Sequence, residues 1–154
     1  MANTTSADVA RLVICGSMRA WDNMREVQET LDRWGIDSLI PDTDAIAAHA
    51  SVDELHEAKR AASMKHFECI QDTHTTAVLV VNVDKEGQAN YIGPNAFAEI
   101  AVAVASGRRV YLLNSIPSAY SDELQAWGAR ELHGELHTLA HEMRDTTPSY
   151  AHAS

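Results

Sequence analysis

Short apolar runs alternate along this chain with segments of helical period, and that alternation constrains the fold more than any single motif does. Residues 11–15 (RLVIC) are an apolar run ending at Gly16-Ser17, the pattern of a buried strand. Residues 21–34 (WDNMREVQETLDRW) set Met24, Val27, Leu31 and Trp34 on one helical face, and Gly35 stops that helix as a C-terminal glycine would. Residues 37–40 make a second short strand, closed by Pro41. Ser51 opens a helix with Glu54 at the capping-box spacing, and the helix runs to about Gln71. The best strand is 77–83 (AVLVVNV), apolar on both faces and therefore expected in the middle of a parallel sheet. Proline suits a first helical turn, so the next helix begins near Pro94 and ends at Gly107. A strand at 109–113 (RVYLL), a short helix at 122–127, a weaker strand at 130–133 and a helix at 135–143 complete the pattern.

Such alternation predicts an α/β fold: a single doubly wound, mostly parallel sheet of about five strands, flavodoxin- or Rossmann-like, with helices on both faces. The domain is expected over residues 9–145, with 1–8 a flexible lead and 146–154 a flexible tail. Sheets of this kind bind ligands beyond the carboxyl ends of their strands, near the switch point. Three loops therefore matter, at 16–19, 41–44 and 82–95.

A length of 154 residues suits one domain with one core. Acidic residues outnumber basic ones by 22 to 12, for a formal charge of −10, which argues against a DNA or RNA polymer as partner. It does not argue against a small nucleotide or nucleoside, because one arginine and a few amides hold a phosphate. No apolar stretch is long enough to span a bilayer, so no membrane partner is expected. The N-terminus lacks the features of a secretory signal, and a cytoplasmic location follows. Cys15 and Cys69 form no C-x-x-C and read as buried thiols in a reducing compartment.

The loop after the first strand, CGSMR, offers a tight turn at Gly16, a hydroxyl at Ser17, backbone amides through Met18, and a cation at Arg19. It is neither a dinucleotide-binding G-x-G-x-x-G nor a Walker loop. The loop after the best strand is long and polar, with Asn82, Asp84, Asn90, Tyr91, Gly93 and Asn95, the composition of a functional connection. Glu99 follows in apolar company (Phe97, Ala98, Ile100, Ala101), either as a partly exposed glutamate favoured by the helix dipole or as a reactive carboxylate.

The order of these features resembles the nucleoside 2-deoxyribosyltransferase superfamily. GSMR is similar to the G-S-I-R of the 2′-deoxynucleoside 5′-monophosphate N-glycosidases, and NYIGPNAFAEIAVAVASGRRVYLLNSIP resembles uncharacterised bacterial and archaeal members. The likeness covers residues 11–117. It implies that Ser17 and Arg19 meet the nucleotide's phosphate end. It makes Glu99, within Glu99-Ile100-Ala101, the nucleophile where the family has Glu–Leu–Gly. It also implies a homodimer or higher homo-oligomer, with exposed Trp127 or Tyr120 as contact residues. One departure stands out: the family's aspartate late in the helix before the central strand aligns with His66, in MKHFECI, while Asp72 falls nearer the strand. A histidine serves as a general acid or base near neutrality, or binds sugar or phosphate.

The implied reaction is N-glycosidase cleavage of a (deoxy)nucleoside 5′-monophosphate. Glu99 attacks the anomeric carbon, and Glu99, His66 and Asp84 form the catalytic set. Asn82, Asp84 and Asn95 are placed to hold ring hydroxyls, Asp42 or Asp44 to approach from the neighbouring loop, and Tyr91 to stack on a base. Base exchange by a transferase, or non-catalytic nucleotide sensing on the same fold, are the alternatives. No cofactor is called for. No metal site is expected either: His137 and His141 are spaced i, i+4, but the H-E-x-x-H pattern is absent and the other histidines form no ligand set. No G-x-S-x-G supports serine catalysis, and Arg108-Arg109 reads as a solvated edge.

Overall fold

The computed structural model describes residues 10–41 and 51–145. Five parallel strands, β1 (Arg11–Cys15), β2 (Asp37–Leu39), β3 (Thr75–Val80), β4 (Arg109–Leu112) and β5 (Arg130–Glu131), form one sheet in the order β2-β1-β3-β4-β5. The helices are α1 (Trp21–Arg33), α2 (Val52–Gln71), α3 (Pro94–Ala105), α4 (Ser121–Ala126) and α5 (Leu136–Asp145). This is the doubly wound α/β arrangement that the alternation implies. Its switch point lies between β1 and β3, where the chain leaves in opposite directions.

Alternation along the strands decides which residue faces which layer. Leu12 and Ile14 of β1 pack with Met24, Val27 and Leu31 of α1 and with Leu139, Ala140 and Met143 of α5. Val13 and Cys15 point the other way, into a cluster with Ile70 of α2, Ala96, Ile100 and Ala103 of α3, and Leu124 of α4. Both β1 and β3 are buried on both faces, as a central parallel pair must be.

Strand β3 starts two residues earlier than its apolar run. Thr75 is buried there because its hydroxyl donates to the Cys69 carbonyl at 2.6 Å and accepts from Arg11. The strand also ends at Val80, although Val81 N–H still donates to the Cys15 carbonyl at 2.8 Å. Two 3-10 turns, Met18–Ala20 and Ser118–Tyr120, lead into α1 and α4 and were not visible as periodic patterns. Helix α1 ends where expected, with Gly35 at φ 76°, a conformation that favours glycine.

Helix α2 carries the capping box in full: Ser51 Oγ accepts from Glu54 N–H, and the Glu54 carboxylate accepts from Ser51 N–H, both at 3.2 Å. Its other end departs from expectation at Arg108. The guanidinium, read from sequence as a solvated edge, donates to the carbonyls of Ile70 (3.0 Å), Gln71 (2.9 Å) and Asp72 (3.1 Å). It satisfies carbonyls that the helix end leaves open. Tyr120 and Trp127 both stack on Phe97, at ring separations of 4.3 and 5.5 Å, so part of each is spent within the chain. No described helix is long and apolar enough to cross a membrane.

Candidate active site

Most of α2 turns away from the core; of its 20 residues only His66 and Ile70 are buried. The helix instead walls a cleft of about 1290 Å³, bounded also by the loops after β1 and β2 and by the start of α3. The cleft opens beyond the carboxyl ends of β1 and β3, where parallel sheets bind ligands.

On its floor lie His66 and Glu99, and beneath them Cys15, the last residue of β1. Glu99 is 3% exposed, so it is not a partly exposed residue at a helix start. His66 Nε2 lies 3.8 Å from Glu99 Oε2 and 3.6 Å from Cys15 Sγ. Asn95, one helical turn before Glu99, donates from Nδ2 to Glu99 Oε1 at 3.4 Å, and its own carbonyl accepts from Ser63 of α2, also at 3.4 Å.

Burial governs the protonation of this group. It pushes the Glu99 carboxyl up to about 7, with the Cys15 hydrogen bond pulling slightly the other way. It lowers His66 below an ordinary imidazole, opposed by a hydrogen bond to the Ile14 backbone. It raises the Cys15 thiol well above its ordinary value, and the neighbouring Glu99 adds to that rise. At neutral pH the thiol is therefore protonated and the imidazole neutral, while the carboxyl is near its midpoint.

Gly16 cannot carry a side chain without displacement: a Cβ there would stand 3.1 Å from Met24 Sδ and 3.3 Å from the Val81 carbonyl. Its bareness lets the loop after β1 turn closely over the sheet edge. Ser17 caps the following turn by accepting from Arg19 N–H at 3.4 Å, and Met18 is exposed on the cleft wall. The Arg19 guanidinium is ion-paired with Glu86, and both side chains are about two-thirds exposed. Tyr91 and Gly93 line the cleft, with Lys85 Nζ 4.4 Å from the Tyr91 ring centre.

Other residues named from sequence are not gathered there. Asn82 is fully buried: its amide donates to the Ser115 carbonyl, its side-chain oxygen accepts from Asn114 N–H, and both bonds are 2.9 Å. It ties the end of β3 to the loop after β4. Asp84 is exposed, accepts from Asn90 N–H at 2.9 Å and lines a smaller adjoining pocket of about 200 Å³. Asp72 accepts from His74 N–H at 2.8 Å beyond the end of α2, away from the described cleft lining. Asp42 and Asp44 lie outside the described residues.

Sequence reasoning missed two features. One is the setting of Cys15: it is the buried thiol expected, but it lies against His66 and Glu99, and strand alternation from Val13 already sets it toward α2 and α3. The other is the charge of the cleft. The chain has only three lysines, Lys59, Lys65 and Lys85, and all of them line it together with Arg19. Among the described lining residues Glu99 is the sole carboxylate. A chain of net charge −10 thus lines this cleft with four cationic side chains and one buried acid.

Comparison with known protein families and with curated proteins finds no match for this chain.

Proposed function

We propose that the protein is an N-glycosidase acting on a (deoxy)nucleoside 5′-monophosphate, in the manner of the nucleoside 2-deoxyribosyltransferase superfamily its motifs resemble. The observation that carries this reading is the Glu99–His66 pair, buried at 3.8 Å on the floor of a cationic cleft. A buried carboxyl titrating near neutrality beside an imidazole is a means of moving protons, not of adding stability.

The pair works with one shared proton. Transfer from the Glu99 carboxyl to His66 produces a carboxylate and an imidazolium together. The carboxylate oxygen bonds to the anomeric carbon as the bond to the base breaks, and the imidazolium proton goes to the departing base nitrogen. Water then attacks the anomeric carbon, gives its proton to His66 and releases Glu99. His66 thereby fills the place where the family has an aspartate. Asn95 holds the second carboxylate oxygen. Ser17, Arg19 and the lysines supply the anion-binding wall that a phosphorylated substrate requires and a plain nucleoside does not.

We read the chain as cytoplasmic and homo-oligomeric. Val52, Leu55 and Met64 are exposed along α2, and a second copy seated there closes the outer side of the cleft; light scattering after size exclusion tests this. The reaction is tested by incubating the protein with ribo- and deoxyribonucleoside monophosphates and measuring free base by chromatography, with Glu99→Gln in parallel. Base release lost in the variant supports the reading. Binding without turnover in both proteins overturns it in favour of a sensor, and product formation only with an added second base overturns it in favour of a transferase.

A further inference from the structure

Three elements bring a thiol, an imidazole and a carboxylate to one point. Cys15 Sγ ends β1, His66 Nε2 comes from α2 and a Glu99 carboxylate oxygen from α3, and the three atoms lie within 4.8 Å of one another. The N···S separation is 3.6 Å. A tetrahedral zinc with its usual bonds of about 2.3 Å to sulfur and about 2.0–2.1 Å to nitrogen sets those two atoms about 3.6 Å apart. The N···O separation of 3.8 Å needs to shrink by only a few tenths of an ångström to match the corresponding edge.

We propose that Cys15, His66 and Glu99 form a binding site for a thiophilic divalent cation of the zinc class, with a fourth position open to the cleft. A thiolate and a carboxylate balance the two charges of the ion, which lets the complex sit in a buried place. On binding, the thiol proton and any proton on Glu99 leave to solvent. Sulfur and nitrogen donors select against magnesium and calcium, which require oxygen. Among the described residues, the other histidine pair of helical spacing is not part of any such three-donor group. His137 stacks on Trp34 at 4.5 Å, and His141 pairs with Asp145 at 3.3 Å.

The site stands apart from the glycosidase reading, because it concerns a different ligand on the same side chains. Where both hold, the ion occupies the carboxylate that must attack the sugar, so zinc is an inhibitor and a chelator restores base release.

The test is a titration of the chelator-stripped, untagged chain with cobalt(II), followed by displacement with zinc. One equivalent of cobalt should produce a thiolate-to-cobalt charge-transfer band in the near ultraviolet together with intense tetrahedral visible bands. Zinc should abolish both, and magnesium should not. Cys15→Ser should remove the charge-transfer band. Glu99→Gln, which preserves volume, should keep the band and weaken binding by about tenfold or more. Substituting His137 and His141 by alanine should change nothing. Absence of the band in the wild-type chain, its persistence in Cys15→Ser, or its loss on substituting His137 and His141 overturns the proposal. Base release measured separately, without metal, keeps the two readings distinct: release without a cobalt band sinks only the metal site, and a cobalt band without release sinks only the glycosidase.

Discussion

His66 Nε2 and Glu99 Oε2 stand 3.8 Å apart, 7% and 3% exposed, and burial inverts the usual order in which the two groups lose their protons. An ordinary glutamate beside an ordinary histidine at neutral pH is a charged carboxylate. Here desolvation raises the acid to about 7 and lowers the base, so the pair favours the state with one proton and no net charge.

Glu99 should cost the protein stability at neutral and alkaline pH. Its folded-state pKa lies above the unfolded one, so the folded chain holds the extra proton between the ordinary glutamate range and about pH 7. Stability therefore falls as pH rises through that window, the reverse of a salt-bridged carboxylate. Glu99→Gln removes the penalty. Denaturant unfolding should find the variant more stable than wild type by on the order of 3 kcal/mol at about pH 8, with the gap closing toward about pH 4. An equal difference at both pH values would exclude a raised carboxyl.

Under the proposed reaction, the same pair sets the pH profile of base release. Below the window both groups are protonated and no nucleophile exists; above it no proton is left for the leaving base. The profile of kcat/KM should be bell-shaped, with an alkaline limb near 7 falling about tenfold per pH unit, its apparent values belonging to the pair. His66→Ala should lose activity by roughly a hundredfold or more on ordinary bases. It should lose far less on a 7-methylguanine nucleotide, whose cationic base leaves without protonation. Equal losses on both substrates would assign His66 to positioning alone.

The layers of this molecule were legible because they rest on periodicity. Leu12 and Ile14 against Val13 and Cys15, or Met24, Val27 and Leu31 on one helical stripe, are decided by spacing, and the structure keeps them. Glu99 stood out because a carboxylate in apolar company demands a reason. Contacts between elements distant in sequence were not legible. Nothing in the run RLVIC says that its last residue will meet a histidine 51 positions later. The strand edge claims Asn82 for three hydrogen bonds, a cost that depends on where Asn114 and Ser115 arrive. Three scattered lysines come to line one cleft only after α2 and the loop after β3 are in place.

On the proposed function, Arg19 has to exchange Glu86 for the substrate's phosphate. Its ion pair with Glu86 is solvent-exposed, and exposed pairs are worth only about 0–1 kcal/mol, so the exchange is inexpensive. Glu86→Gln should lower KM for a nucleoside monophosphate by roughly two- to fivefold at low salt, within that energy range, without altering KM for the unphosphorylated nucleoside. Arg19→Ala should raise KM for the monophosphate alone. The Glu86→Gln gain should shrink as salt is added, because screening weakens the pair in the wild type as well. If Arg19→Ala affected phosphorylated and plain substrates equally, the phosphate assignment would be lost.

Arg108 holds the helix that carries His66, although it touches nothing in the cleft. Its guanidinium reaches Ile70, Gln71 and Asp72 carbonyls at distances of 2.9 to 3.1 Å, a spread that the single ammonium of lysine cannot match. Hydrogen bonds from a charged donor contribute about 1.5–3 kcal/mol where the acceptor is buried, and less where water replaces the donor. Of the three bonds only the one to Ile70 is partly buried, so Arg108→Ala should cost about 1–3 kcal/mol in all. For a chain of this size that lowers Tm by roughly 2–4 °C per kcal/mol. Arg108→Lys should recover less than half of the loss. His66 lies one helical turn before Ile70, so loosening this end of α2 also loosens the turn that holds His66 over the cleft floor. The variant should show a lower kcat and a shifted alkaline limb in its pH profile, since that limb belongs to the His66–Glu99 pair and His66 rides on α2. A loss of stability with kcat and the limb both unchanged would mean that Arg108 supports the helix end alone.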